Sequence, residues 1–325
     1  MKGKYGIIVQ NKRIGYSFEI RRNLTVIRGD SATGKTTLVD MIKEYYENGA
    51  GSGVRLQCEK ECAVISGRSW KYELAEINDS IVFIDEGNEF IFTDEFADII
   101  QKTDNYYVIV TRESIPSLPY SVKEIYGIRK SGKYGTIKQT YNEFYHMYNL
   151  ENFNHKVKPD IIITEDSNSG YQFFKSVSDE SDIRCISANG KSNIFSNVLS
   201  IVSKQKTDNV LIVADGAAFG AEMEKIIRLI KYNKMVTLYL PESFEWLILS
   251  SGVVDDSEIR EILLSPIEFI ESRKYFSWER FFTALLVEKS NKTYLKYSKK
   301  KLNSSYLNDK ISYEILSLMK FIEIK

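Results

Sequence analysis

Two hydrophobic rhythms alternate along the chain. Near the start, Tyr5-Gly6-Ile7-Ile8-Val9 and Arg13-Ile14-Gly15-Tyr16-Ser17-Phe18-Glu19-Ile20 alternate apolar with polar positions, as half-buried strands do. Leu24–Ile27, 63–65, Ile81–Ile84 and Tyr106–Val110 are short and continuously apolar, the pattern of strands covered on both faces. Residues 37–45 put Leu38, Met41, Ile42 and Tyr45 on one side of a helix, and 94–100 also reads as helical. After residue 158 the rhythm restarts. Strands are predicted at Ile161–Thr164, 183–186, 210–214 and 235–240, with helices at 171–177, 193–204 and 221–231. Strand followed by helix, repeated, predicts parallel sheets.

Between the halves, Asn149, Asn152, Asn154 and Pro159 break both periodicities within a polar stretch from Tyr145 to Lys158. The expected division is an α/β domain over 1–148 with a parallel core sheet, a second Rossmann-type α/β domain over 158–252, and a helical C-terminal region over 253–325. In that last region Ile262, Leu263, Ile267, Phe269 and Ile270, then Phe281, Phe282, Leu285 and Leu286, form an apolar stripe expected to pack on the second domain. Lys289, Lys292, Lys296 and Lys300 recur at helical spacing with Tyr294 and Tyr297 alongside. That face suits a nucleic-acid backbone, or simply solvent.

Composition narrows the classes. A chain of 325 residues has room for two domains, and 43% hydrophobic with 13% aromatic content excludes disorder as its main state. Lysine plus arginine and aspartate plus glutamate both total 44, so no overall field draws in nucleic acid or an anionic membrane. No apolar run reaches the length of a spanning helix, and Met1-Lys2-Gly3-Lys4 leads into strands, so no membrane association and a cytoplasmic location are expected. Cys58, Cys62 and Cys185 are too scattered for a disulfide framework. The two histidines, His146 and His155, lie in the polar stretch, which argues against a zinc site or a histidine-based hydrolase.

The most specific pattern is Gly29-Asp30-Ser31-Ala32-Thr33-Gly34-Lys35-Thr36, followed by Thr37. It fits G-x-x-x-x-G-K-[ST] between a predicted strand and a predicted helix, the context a phosphate-binding loop requires. Glycines let consecutive N–H groups turn toward phosphates at the positive end of a helix dipole. Lys35 adds a charge, and the Thr36 hydroxyl suits Mg²⁺. ATP with Mg²⁺ is the expected ligand. Ile81-Val82-Phe83-Ile84-Asp85-Glu86 supplies the second half: Asp85 for the metal, and Glu86 to polarise the attacking water. Thr111 and Arg112, ending the strand at 106–110, are expected beside the γ-phosphate. Arg112 or Arg129 is alternatively placed to reach a neighbouring subunit, which would make the protein a homodimer.

An antiparallel pair leading into Asn23-Leu24-Thr25-Val26-Ile27-Arg28-Gly29 and then Gly34-Lys35-Thr36-Thr37-Leu38 resembles the ATPase heads of the ABC and structural-maintenance superfamily. A compact AAA-like domain is the alternative. Ser66-Gly67-Arg68-Ser69 lies too close to Asp85 to be a signature motif, and no coiled-coil insertion is present.

The second half resembles the Toprim domain of topoisomerases, primases and the overcoming-lysogenisation-defect nucleases. The likeness covers roughly 158 to 252. In that fold a glutamate ends the first strand and D-x-D-x-x-G ends the third, together holding Mg²⁺. The resemblance implies Glu165 as the glutamate, and Asp215 and Gly220 as the aspartate and glycine of the second motif. Ala217 stands where the second aspartate belongs, which removes a ligand. Asp166, Glu242 and Glu245 are the candidates to replace it. A Rossmann-like domain whose strand-end acids cap helices is the competing reading. An ATPase joined to such a domain resembles the overcoming-lysogenisation-defect arrangement, which implies ATP-dependent action on nucleic acid in phage resistance or on mobile elements. The alternative is an ATP-gated regulatory or scaffold subunit, silent on DNA, that binds a partner protein.

Overall fold

The apolar segments of the first half assemble into one sheet in the computed structural model, which describes residues 1–30, 33–131, 140–149, 156–204 and 208–324. The chain divides into two compact units. The first holds Met1–Tyr148 with Ser265–Ser277, and the second holds Asn149–Leu264 with Trp278–Lys325.

The first unit runs β1 (Tyr5–Gln10), β2 (Ile14–Ile20), β3 (Leu24–Ile27), α1 (Lys35–Asn48), β4 (Arg55–Gln57), β5 (Cys62–Val64), α2 (Trp70–Glu76), β6 (Ile81–Ile84), α3 (Asp94–Ile100), β7 (Tyr106–Val110), β8 (Ile125–Lys130) and β9 (Thr140–His146). Its nine strands are ordered β4-β1-β2-β9-β8-β3-β7-β6-β5. The stretch β8-β3-β7-β6-β5 is parallel, as the continuous apolar runs require. The sheet as a whole is mixed. β1 pairs antiparallel with β2 and β4, and β9 runs antiparallel to β8 but parallel to β2.

The strands β8 and β9 lie where no strand was expected. His146, placed by sequence in a connecting stretch, ends β9 with its ring 4.7 Å from that of Tyr126. His155 falls outside the described residues.

Every residue of β3, β6 and β7 is buried, and Phe83 of β6 meets Phe18 of β2 edge-on at 6.5 Å. A polar clasp fixes the amino ends of these strands. Buried Asn105 accepts the Ser80 N–H at 3.0 Å and donates to the Ile77 carbonyl at 2.9 Å.

The second unit has a four-stranded parallel sheet, as expected. Its elements are β10 (Ile161–Thr164), α4 (Ser169–Asp179), β11 (Arg184–Ser187), α5 (Lys191–Lys204), β12 (Val210–Val213), α6 (Met223–Tyr232) and β13 (Val236–Tyr239). Strand order is β11-β10-β12-β13, with Thr164 level with Ser187 and Val213. Helices α7 (Phe244–Ser250), α8 (Ser257–Leu264), α9 (Trp278–Ser290) and α10 (Asp309–Ser317) follow.

The C-terminal region differs from expectation in two ways. Residues Ser265–Ser277 belong to the first unit, where the Gly3 N–H donates to the Ile267 carbonyl at 2.9 Å and Asn23 Nδ2 to the Phe276 carbonyl at 2.5 Å. The lysine face does not form, because α9 stops at Ser290. There the Ser290 hydroxyl accepts the Tyr297 N–H at 2.9 Å and the chain turns back. Lys292, Lys296 and Lys300 therefore share no helix, and Lys289 is paired with Asp256 at 3.2 Å and with Glu258. Tyr297 is buried and turned inward, so it offers no face to a base.

Replacing Asn105 by Ala leaves a buried N–H and a buried carbonyl without partners. At about 1–3 kcal/mol each, this should cost the first unit roughly 2–6 kcal/mol, read as a lowered midpoint in chemical denaturation.

Candidate functional site

Strand β3 ends at Ile27, and α1 begins at Lys35. Gly29 and Gly34 hold φ of +129° and +92°, values that side-chain-bearing residues avoid. At Gly34 space matters as well, since a Cβ would stand 2.8 Å from the Tyr16 hydroxyl oxygen. That hydroxyl donates to the Gly34 carbonyl at 2.8 Å, tying the turn to β2. The cap residue of α1 makes no side-chain hydrogen bond, so the first N–H groups of this 14-residue helix face the turn ready for an anion.

Lys35 is buried and folds back over this turn. Its Nζ donates to the carbonyls of Gly29 at 2.8 Å and Asp30 at 2.6 Å, and to Thr33 Oγ1 at 3.3 Å. Burial holds its pKa below the usual lysine range, opposed by the Glu86 carboxylate. Ser31 and Ala32 lie outside the described residues. Thr37 reaches the Tyr16 hydroxyl from the first turn of α1.

Asp85 and Glu86 follow β6 directly. Asp85 Oδ1 is buried and has no hydrogen-bond partner among the described residues. Burial pushes this carboxyl up, while the Glu86 N–H and the Thr36 hydroxyl oppose the shift. Thr36 and Asp85 thus meet, and an orphaned carboxylate oxygen beside a hydroxyl fits a hard divalent cation such as Mg²⁺.

Glu86 is held by Arg112 in a two-pronged ion pair, Nη2–Oε1 at 2.7 Å and Nε–Oε2 at 3.1 Å. The Thr111 hydroxyl is committed locally: it accepts the Glu113 N–H at 3.0 Å and donates to the Glu113 carbonyl at 3.2 Å. Arg129 pairs with Glu143 at 3.0 Å across β8 and β9. Both arginines considered for reaching a neighbour are therefore engaged within the chain.

In the second unit Glu165 follows β10, and Asp215 lies two residues beyond β12. The Asp215 N–H donates to Glu165 Oε2 at 3.1 Å, and the Phe244 N–H donates to Asp215 Oδ1 at 3.2 Å. They line a shallow cavity with Phe244, Glu245 and Lys299. Burial pushes Glu165 up to about 7, opposed by the Asp215 N–H and reinforced by Glu279. Asp215 is raised well above the carboxylate range by burial, then by Glu279, Glu165 and Glu245.

Of the candidate replacement ligands, Asp166 turns to cap its own loop, accepting from Asn168 N–H and Nδ2 at 3.1 and 2.8 Å. Glu245 is buried and accepts the Tyr297 hydroxyl at 2.8 Å. Ala217 is buried, with its N–H on the Glu242 carbonyl at 3.2 Å. Gly216 packs so closely that a Cβ would sit 2.9 Å from the carbonyls of Leu240 and Pro241. Among the described residues no group of three or more histidine, cysteine, aspartate or glutamate side chains is arranged to hold a metal.

Two members of this cluster escaped the sequence. Glu279 and Lys299 lie far along the chain and carry no motif, and their only signal is the acid–lysine content of the tail. Tyr297 was singled out beside the lysine face, not as a partner of Glu245.

No family model, curated protein or solved structure matches the chain. No helix among the described residues is long and apolar enough to cross a membrane.

The raised Glu165 sets a pH dependence. Its proton is kept in the fold up to about 7 but leaves the unfolded chain near the ordinary 4.5. The resulting stabilisation is complete below 4.5, falls as pH rises, and is gone above 7. Unfolding midpoints of the second unit should decline across this window, and Glu165→Gln should make the decline shallower, the rest coming from the raised Asp215.

Proposed function

We propose that the first unit binds and hydrolyses ATP, and that its nucleotide cycle controls the second unit. The observation that carries this reading is the meeting of Thr36 with Asp85 beside the Gly34–Lys35 turn. A residue from the first turn of α1 and one from the end of β6 come together where an uncapped helix start favours phosphate. Lys35 would exchange the carbonyls of Gly29 and Asp30 for phosphate oxygens, and the N–H groups of α1 would take the rest of the charge. Mg²⁺ held by Thr36 and Asp85 would neutralise charge on the β- and γ-phosphates. Glu86, once released by Arg112, would orient the attacking water.

Lys35→Ala should abolish most binding of a labelled ATP analogue at equilibrium. Glu86→Gln should keep binding but slow phosphate release by about 10²–10⁴-fold. Unchanged binding by Lys35→Ala would sink the proposal.

For the second unit, a Toprim-like nuclease acting on nucleic acid and an ATP-gated regulatory subunit binding a partner protein are the two readings. Ala217 and the lysine beside Asp215 favour the regulatory one, because a ligand is missing and a cation is already present. Plasmid DNA should then remain intact with Mg²⁺ or Mn²⁺ in every nucleotide state. Metal-dependent nicking that disappears in Glu165→Gln would restore the nuclease.

A further inference from the structure

The Toprim resemblance implies a divalent cation between Glu165 and Asp215, and the residues present do not fit one. One Asp215 oxygen is taken by the Phe244 N–H, one Glu165 oxygen by the Asp215 N–H, and Ala217 adds no ligand. We propose that Lys299 is the resident cation of this cluster, its ammonium standing in place of a divalent ion, so that the second unit binds no metal at Glu165 and Asp215. The inference does not rest on the nucleotide reading of the first unit.

Lys299 is built into the site. Its carbonyl accepts the Ser169 N–H at 2.9 Å at the start of α4. The next carbonyl, of Lys300, accepts Gln172 Nε2 at 3.1 Å, and Gln172 Oε1 accepts the Leu302 N–H at 2.9 Å. Tyr297, two residues earlier, is buried with its hydroxyl on Ser169 and Glu245. The backbone is thus strapped to α4 on both sides of Lys299. From there the side chain pairs with Glu279, the two being only 34% and 23% exposed. Its charge also acts on Glu245 and Asp215.

An ordinary surface lysine makes one exposed pair, as Lys175 does with Asp179. Lys299 instead faces three carboxyl groups supplied by the start of α9, by α7 and by the end of β12. A divalent ion brought to Glu165 and Asp215 would meet this ammonium at short range in a partly shielded cavity, where like charges repel strongly. Removing the ammonium leaves the Glu279 carboxylate unpaired, and a metal ion that displaces the protons of the neighbouring carboxyl groups then meets no like charge.

The test titrates the full-length, nucleotide-free chain with Mn²⁺ alone, following free Mn²⁺ by electron paramagnetic resonance. Wild type, Glu165→Gln and Asp215→Asn should bind Mn²⁺ alike. Lys299→Met should gain a site at least about tenfold tighter than any wild-type site, and adding Asp215→Asn should remove it. A wild-type Mn²⁺ site lost in Asp215→Asn overturns the proposal, as does a folded Lys299→Met that gains no site. If Lys299→Met does not fold, the comparison of wild type with Glu165→Gln and Asp215→Asn decides alone.

Discussion

The parallel register of β3, β7 and β6 is the constraint on which the first unit depends. Ile27 lies level with Val110, and Ile109 with Ile84. Three strands therefore release their chains at one edge within a residue of each other. Asp85, Glu86, Thr111 and Arg112 follow directly from two of these ends, and Lys35 and Thr36 open the helix that follows the third. Full burial of these strands makes the register costly to shift, since a slip by one residue would drag a carboxylate into the core. The site's precision is thus inherited from apolar residues that never touch a ligand.

Both units place a lysine where their resemblances put a ligand, but the partners differ in kind. Lys35 rests on the neutral carbonyls of Gly29 and Asp30. An ammonium gains less from neutral carbonyls than from an anionic partner, so under the proposed function a phosphate would displace them. Lys299 is paired with the Glu279 carboxylate, an anionic partner already in place. On the proposed reading the first lysine changes partners when ligand binds, and the second keeps its own. One chain thereby combines an exchangeable cation with a fixed one.

Much of the architecture was legible because burial on both faces writes itself as runs such as Ile81–Ile84 and Val210–Val213. The G-x-x-x-x-G-K-[ST] pattern was legible because it is local: its glycines, lysine and threonine lie within eight residues. Strand β9, Thr-Tyr-Asn-Glu-Phe-Tyr-His, was not legible. Only Asn142 among its residues is buried, and a polar strand inside a mixed sheet has no apolar period. The lysine spacing from 289 to 300 misled for the opposite reason. The period was genuine, but the helix ends at Ser290 through a side-chain bond to Tyr297 that no glycine or proline announces. Lys299 and Glu279 joined Glu165 through tertiary packing alone, which a single sequence does not record.

The passage of Ser265–Ser277 back into the first unit changes how the protein can be taken apart. The chain enters the second unit, returns, and leaves again, so three covalent links join the two bodies. A gene fragment ending at residue 148 would lack the carbonyl of Ile267 that receives the Gly3 N–H and that of Phe276 that receives Asn23. It would also lose Ser272, whose hydroxyl donates to Asp104 at 2.9 Å. Inheritance by recombination faces the same obstacle, because no single crossover point separates one body from the other. Any single cut of the chain therefore leaves part of one body attached to the other.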